Sequence, residues 1–114
     1  MRPIPKKLLI HSVTYGKEST SDRFGDDKEI VGKVSLRNVR LDPSSKVIRD
    51  KNNAELQLSA MMFYDCKNSR PVGMKFRTDD IIIFNGVNHR IETIEPLYDD
   101  KRIHHWELGL VRCG

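Results

Sequence analysis

Residues 79–96 read DDIIIFNGVNHRIETIEP. Ile81–Phe84 is a short apolar run with side chains facing both ways, the mark of a strand covered on two sides. Asn85-Gly86 follows, the residue pair that best accepts positive φ at both central positions of a type I′ hairpin turn. Apolar residues then return at Val87, Ile91 and Ile94, with His89 in phase with the first two. The change of step from two residues to three predicts a bulge near Glu92-Thr93, which bends the strand. A bent hairpin strand is what closing a small barrel requires. Pro96 is expected to end it.

Working outward, residues 7–15 (KLLIHSVTY) read as a strand and 16–27 (GKESTSDRFGDD) as a long loop. Residues 28–41 alternate over much of their length. Val34 and Leu36 share a face with the Asn38 position, while Val31 and Val39 break the phase, so Gly32 and Asn38 are expected to mark bulges. Asp42-Pro43 opens a second loop, 42–53. Residues 54–65 (AELQLSAMMFYD) alternate strictly, with Leu56, Leu58, Ala60, Met62 and Tyr64 on one face. That strictness leaves no helical stripe, so a strand is predicted although Ala, Glu, Leu, Gln and Met favour helices. A third loop carries Pro71 and Gly73. The last strand is Ile103–Arg112, with Trp106, Leu108 and Leu110 in phase. The expected fold is all-β, a small six-stranded β-barrel or sandwich with long loops, in one domain over 1–114.

The composition permits one modest core. Charged residues are 32% and hydrophobic residues 38% of the 114, and the net charge is +4. So mild an excess does not by itself argue for nucleic acid, but its distribution is uneven. Lys33, Arg37, Arg40, Lys46, Arg49 and Lys51 fall in one segment, and acidic pairs sit at Asp26-Asp27, Asp79-Asp80 and Asp99-Asp100. A molecule with faces of opposite sign is expected. Loops 16–27 and 42–53 are too polar to supply a core and are expected to be mobile until a partner orders them. Two cysteines without a CxxC give no disulfide framework, which points to a reducing compartment. The opening MRPIPKKLLIHSV lacks a cleavage site of small residues, so it does not read as a signal peptide. The longest strongly apolar run, Ile81–Phe84, is far short of a membrane span, and no membrane partner is expected.

No catalytic constellation emerges. His104 and His105 are adjacent in a strand, where neighbours point to opposite faces, so they are not expected to share a metal ion. His11 and His89 add no zinc-like spacing. Cys66 with a histidine suggests a nucleophile and its base, but nothing fixes a third member, and Cys66 reads as a half-buried structural thiol where a strand meets a loop. The acidic pairs flank turns, where Asp is ordinary. Tyr98 and Trp106 read as core aromatics. No cofactor, metal or enzymatic activity is predicted. The basic segment, with Met61 and Phe63 on a neighbouring strand face, leaves an alternative open: an OB-like module binding single-stranded nucleic acid.

RPIPKKLLIHSVTY at the start, LDPSSKVIRDKNNAELQLSAMMFYDCKNSRP, the IIFNGVNHRIETIEPLY hairpin and the closing HHWELGLV together resemble the minor capsid proteins of tailed bacteriophages and prophages of Gram-positive bacteria. FYDCKNSRP and HHWEL are the more specific parts, and the resemblance covers nearly the whole chain. It also makes the chain similar to head-completion proteins, the connectors and stoppers between head and tail. The resemblance implies a non-enzymatic virion protein, assembled in the bacterial cytoplasm as a homo-oligomeric ring below the portal. Such a ring extends or closes the DNA channel. Its implied partners are the portal or adaptor protein, the tail-completion proteins and the packaged DNA. His89 stands where an aromatic residue would be expected in relatives. The basic residues Lys33, Arg37, Arg40, Lys46, Arg49 and Lys51 are the candidate contacts to partner or channel DNA.

Overall fold

The structure, a computed structural model, describes residues 2–20, 28–50 and 52–113. Its strands are β1 His11–Thr20, β2 Lys28–Pro43, β3 Val47–Arg49, β4 Glu55–Gln57, β5 Ala60–Asp65, β6 Ile81–Phe84, β7 Val87–Tyr98 and β8 Ile103–Arg112. One 3-10 turn, Lys6–Leu8, precedes β1. Six strands pair antiparallel in the order β1-β2-β5-β8-β7-β6, and β6 returns to β1 through Thr14↔Ile83, Tyr15↔Ile82 and Gly16↔Ile81. The fold is thus all-β and barrel-like, with six strands in the main sheet, as the alternation predicts. β3 and β4 form a separate two-stranded ribbon.

The opening hairpin forms as its residues dictate. Asn85 and Gly86 have φ of 51° and 76°, and Phe84 faces Val87 across the turn. Ile91 pairs with Leu110 and Thr93 with Gly109, so Glu92 is the extra residue of a bulge. Two more bulges bend β2. Tyr15↔Val34 is followed by Lys17↔Val31, and His11↔Val39 by Val13↔Leu36. Gly32 (φ 63°) and Asn38 (φ 57°) occupy the left-handed conformation at these places, which glycine and asparagine accept most readily. The bulge at Asn38 resets the phase of β2, so that Val39 and Leu41 join Leu36 in the core.

Leu36, Val39, Met62, Ile82, Ile91, Leu108 and Leu110 line the interior at 0% exposure. Phe76, from the β5–β6 connection, closes one side of this cluster. Its ring meets those of Tyr15, Tyr64 and Trp106 edge-on, with centroids 5.6, 5.3 and 6.5 Å away, the geometry aromatic quadrupoles favour. His89 is buried too, with Nδ1 3.3 Å from the Ile82 carbonyl oxygen. The Tyr15 hydroxyl donates to the Asp80 carboxylate and the Tyr64 hydroxyl to the Pro71 carbonyl. Burial pushes both phenols above the ordinary tyrosine range. At Tyr15 the hydrogen bond to Asp80 and its negative charge push the same way.

Several expectations need correcting. The first strand begins only at His11, after the 3-10 turn, and continues through Thr20 into the segment read as a loop. β1 and β2 therefore extend as a two-stranded arm past the β1–β6 pairs; the rest of that loop, 21–27, lies outside the described residues. Loop 42–53 is largely built. β2 runs to Pro43, and backbone bonds Ser44 N to Ser59 O (3.1 Å), Leu58 N to Lys46 O (2.8 Å) and Asp50 N to Ala54 O (3.0 Å) carry the pairing into the ribbon. The predicted strand 54–65 is consequently broken at Leu58-Ser59 into β4 and β5. Ala60, Met62 and Tyr64 face the core as expected, whereas Leu56 sits half-buried on the ribbon.

Leu58 is buried but outside the central cluster. It packs beside Gly109, where a Cβ would come within 2.9 Å of a Leu58 methyl and into Thr93 Oγ1. Leu108 and Leu110 point inward, so position 109 faces outward. Leu58 covers the barrel wall instead of filling it. Pro96 does not end its strand. β7 continues to Tyr98, and β6 accompanies it only along 87–90, so Pro96 lies on a free edge where a missing N–H is tolerated. Tyr98 is 62% exposed and no core residue, whereas Trp106 packs against the cluster.

Three measurements check this packing. Leu58→Ala should lose about 2–5 kcal/mol in urea unfolding, as a buried leucine does. Gly109→Ala should lose about 1–3 kcal/mol by overpacking, and a neutral result would remove Leu58 from the wall. The third is alkaline titration. The folded state holds the Tyr15 and Tyr64 protons above the unfolded value of about 10. Their contribution is therefore whole below that pH and is lost as pH rises through the folded values. Phenolate absorbance from these two residues should appear together with unfolding, and Tyr15→Phe should remove its share.

Candidate functional site

The outer wall of the barrel carries three of the candidate basic residues. Cross-strand pairing lines up Glu95 on β7, Glu107 on β8, Phe63 on β5 and Arg40 on β2 in one row. Each faces outward, since its strand neighbours Ile94, Trp106, Leu108, Met62, Tyr64, Val39 and Leu41 pack into or against the core. Two carboxylates thus sit directly opposite each other on β7 and β8, an arrangement that repels. His105 lies two residues from Glu107 on the same face and places Nε2 2.9 Å from the Glu107 carboxylate.

The candidate basic residues divide into two groups. Lys33, Arg37 and Arg40 lie on the outer side of β2, out of phase with Leu36, Val39 and Leu41. Lys33 and Arg37 are exposed; Arg40 ion-pairs with Asp42 at 2.9 Å and donates to the Leu8 carbonyl. Lys46 and Arg49 belong to the ribbon, where Arg49 lies 3.8 Å from Glu55 and donates to the Asn53 carbonyl at 2.9 Å. Lys51 lies outside the described residues. One sequence segment therefore supplies a barrel face and a separate ribbon. Met61 and Phe63 are half-buried, Phe63 in a cleft of about 350 Å³ shared with Ile4, Leu8, Leu9, Arg40 and Asp42. They do not form the open stacking platform that the nucleic-acid alternative needs.

Residues 2–9 run along this wall as a strap, which sequence reasoning missed. Ile4 N donates to Asp65 Oδ1 at 3.0 Å, and Asn68 Nδ2 donates to the Ile4 carbonyl at 2.8 Å. Asp65, fully buried, also accepts from the Lys67 and Asn68 amides at 3.1 and 2.8 Å. An aspartate accepting from amides two and three residues on is a recognisable turn, and DCKNS carried that much. The strap gave no such cue, because its anchor lies 61 residues away.

The two histidines correct an expectation. Leu97 pairs with His105 but Tyr98 with Ile103, so His104 is the extra residue of a bulge. The bulge brings the rings together, with Nδ1 atoms 2.8 Å apart, while His104 Nε2 meets the Arg2 carbonyl. A carbonyl and a carboxylate only accept. All three contacts are satisfied together when His104 carries its proton on Nε2 and His105 carries one on each nitrogen. Both rings are then occupied in holding the strap and Glu107. No group of three or more metal-ligating side chains converges among the described residues. A cleft of about 470 Å³ is lined by Pro3, Asp65, Cys66, Val72, Arg102 and His104, among others. Burial, with the Asp65 charge, pushes the Cys66 thiol up, the direction opposite to a nucleophile's.

Among known families, residues 5–110 match the one described as minor capsid protein. The chain belongs to the minor capsid protein family. It is by that membership a structural virion component. No curated protein and no solved structure matches it. In this minor capsid protein the candidate basic residues among the described ones lie on the wall and on the 44–59 ribbon.

The thiol offers a direct check. In a Cys113→Ser variant, Cys66 should react with a thiol-selective alkylating reagent at pH 7–8 far more slowly than in the same chain unfolded. Equal rates would return it to the list of nucleophiles.

Proposed function

We propose that this minor capsid protein is a non-enzymatic head–tail connector subunit of a tailed phage, acting as a single domain. Several copies form a ring below the portal, extend or close the DNA channel, and dock the tail. The observation that carries this reading is the polarised outer wall on a barrel-like body with two extensions, in a chain of this family. A ring subunit needs a rigid body, different patches for its two neighbours, and extensions that reach beyond it. The β1–β2 arm and the 44–59 ribbon leave the barrel from opposite ends of β2. They suit contact with different layers, portal or adaptor on one side and tail-completion proteins on the other. The exposed cations of β2 and the ribbon suit acidic partners or packaged DNA.

Deleting the gene from its phage should leave packaging near normal while heads leak DNA and fail to join tails. Electron microscopy and nuclease access to the DNA score the phenotype, with complementation by the wild-type gene. DNA-filled heads carrying full-length tails in the deletion would refute the connector reading. Changing Arg40, Lys46, Arg49 and Lys51 together to Ala should weaken docking or DNA retention. It should shift stability by only about 0–1 kcal/mol per exposed ion pair lost.

A further inference from the structure

Around the ring of strands, β2 and β7 are diametrically opposed: three steps separate them through β5 and β8, and three through β1 and β6. The exposed outer side of β2 carries Lys33 and Arg37, neither in an ion pair among the described residues. The far wall carries Glu95 directly opposite Glu107. His105 Nε2 lies 2.9 Å from the Glu107 carboxylate; Glu95 has no ion pair among the described residues. The molecule thus shows unpaired cations on one side and crowded carboxylates on the other.

We infer that the Lys33–Arg37 face of one copy docks on the Glu95–Glu107 face of a second copy of this chain. The inference rests on the ring reading above and names its interface. Two different, complementary patches on opposite walls define a heterologous contact, which repeats from copy to copy and closes when the rotation does. Cations brought to Glu95 and Glu107 relieve the repulsion that the isolated barrel retains. Strand edges are poorly suited to the same task. The free edge of β7 contains Pro96, and the free edge of β2 is distorted at Gly32, two devices that blunt edge pairing. The copies meet through side-chain faces, and salt weakens the contact.

A zero-length carbodiimide, which joins a lysine amine to a touching carboxylate, tests this on the purified chain at low salt. Lys33 and Glu95 stand on opposite walls of one barrel, so any link between them is intermolecular. Mass spectrometry should find Lys33 joined to Glu95 or Glu107. Sedimentation should show self-association weakened by about tenfold or more in K33E/R37E and in E95K/E107Q, and restored when all four changes are in one chain. Oligomers whose links lie elsewhere, or single-face reversals without effect, overturn the assignment and leave the connector reading standing. A chain that stays monomeric, without these links at any concentration, overturns it equally. If K33E/R37E loses only binding to a short DNA duplex, β2 faces DNA and the inference fails. The deletion phenotype judges the connector reading separately.

Discussion

A six-stranded sheet this small encloses a core only if its strands bend, and in this chain the bending is done by single inserted residues. Glu92 bends β7, Asn38 and Gly32 bend β2, and His104 bends β8. Each insertion also exchanges the inward and outward sets of side chains beyond it. Val39 and Leu41 reach the core because Asn38 takes up one residue, and the two histidine rings meet because His104 takes up another. Shape and chemistry of the wall follow from the same irregularities.

What was legible in the sequence was local. The Asn85-Gly86 turn, the altered step at Glu92 and the out-of-phase valines around Gly32 and Asn38 record backbone demands within a few residues, so they could be read without knowing the partner strand. Leu58 shows the opposite case. Strict alternation across 54–65 says that neighbouring side chains face opposite ways; it does not say that one sheet receives them all. The break between ribbon and barrel follows from backbone pairing of Ser44 with Ser59 and of Lys46 with Leu58, more than a turn away in sequence. Asp65 fell on the solvent face by parity and is buried because a strap from the far N-terminus crosses it. The candidate cations are neighbours in sequence. Their division between barrel and ribbon, and the opposition of β2 to β7, depend on strand order, which no local pattern encodes.

The described residues leave no buried side-chain nitrogen or oxygen without a partner. Asp80 receives Tyr15, Asp65 receives three amides, Ser69 bridges the Asp65 amide and the Asn38 carbonyl, and His104 and His105 occupy each other. Polar groups satisfied in this way hold a shape, because moving any of them strands its partner. In a minor capsid protein that is the property wanted of the body, while the unpaired charges remain outside.

The contact between β1 and β6 has a consequence for how the chain folds. Thr14 and Ile83 are about 70 residues apart, so joining them fixes a long loop before its contacts repay the lost entropy. The β6–β7 and β7–β8 hairpins and the β1–β2 arm can form from near neighbours. The seam that turns the sheet into a barrel is expected to come last. Until it does, the apolar inner face lies open and the chain is most exposed to aggregation. A newly synthesised chain is therefore a slow folder by topology, with its most vulnerable moment just before closure.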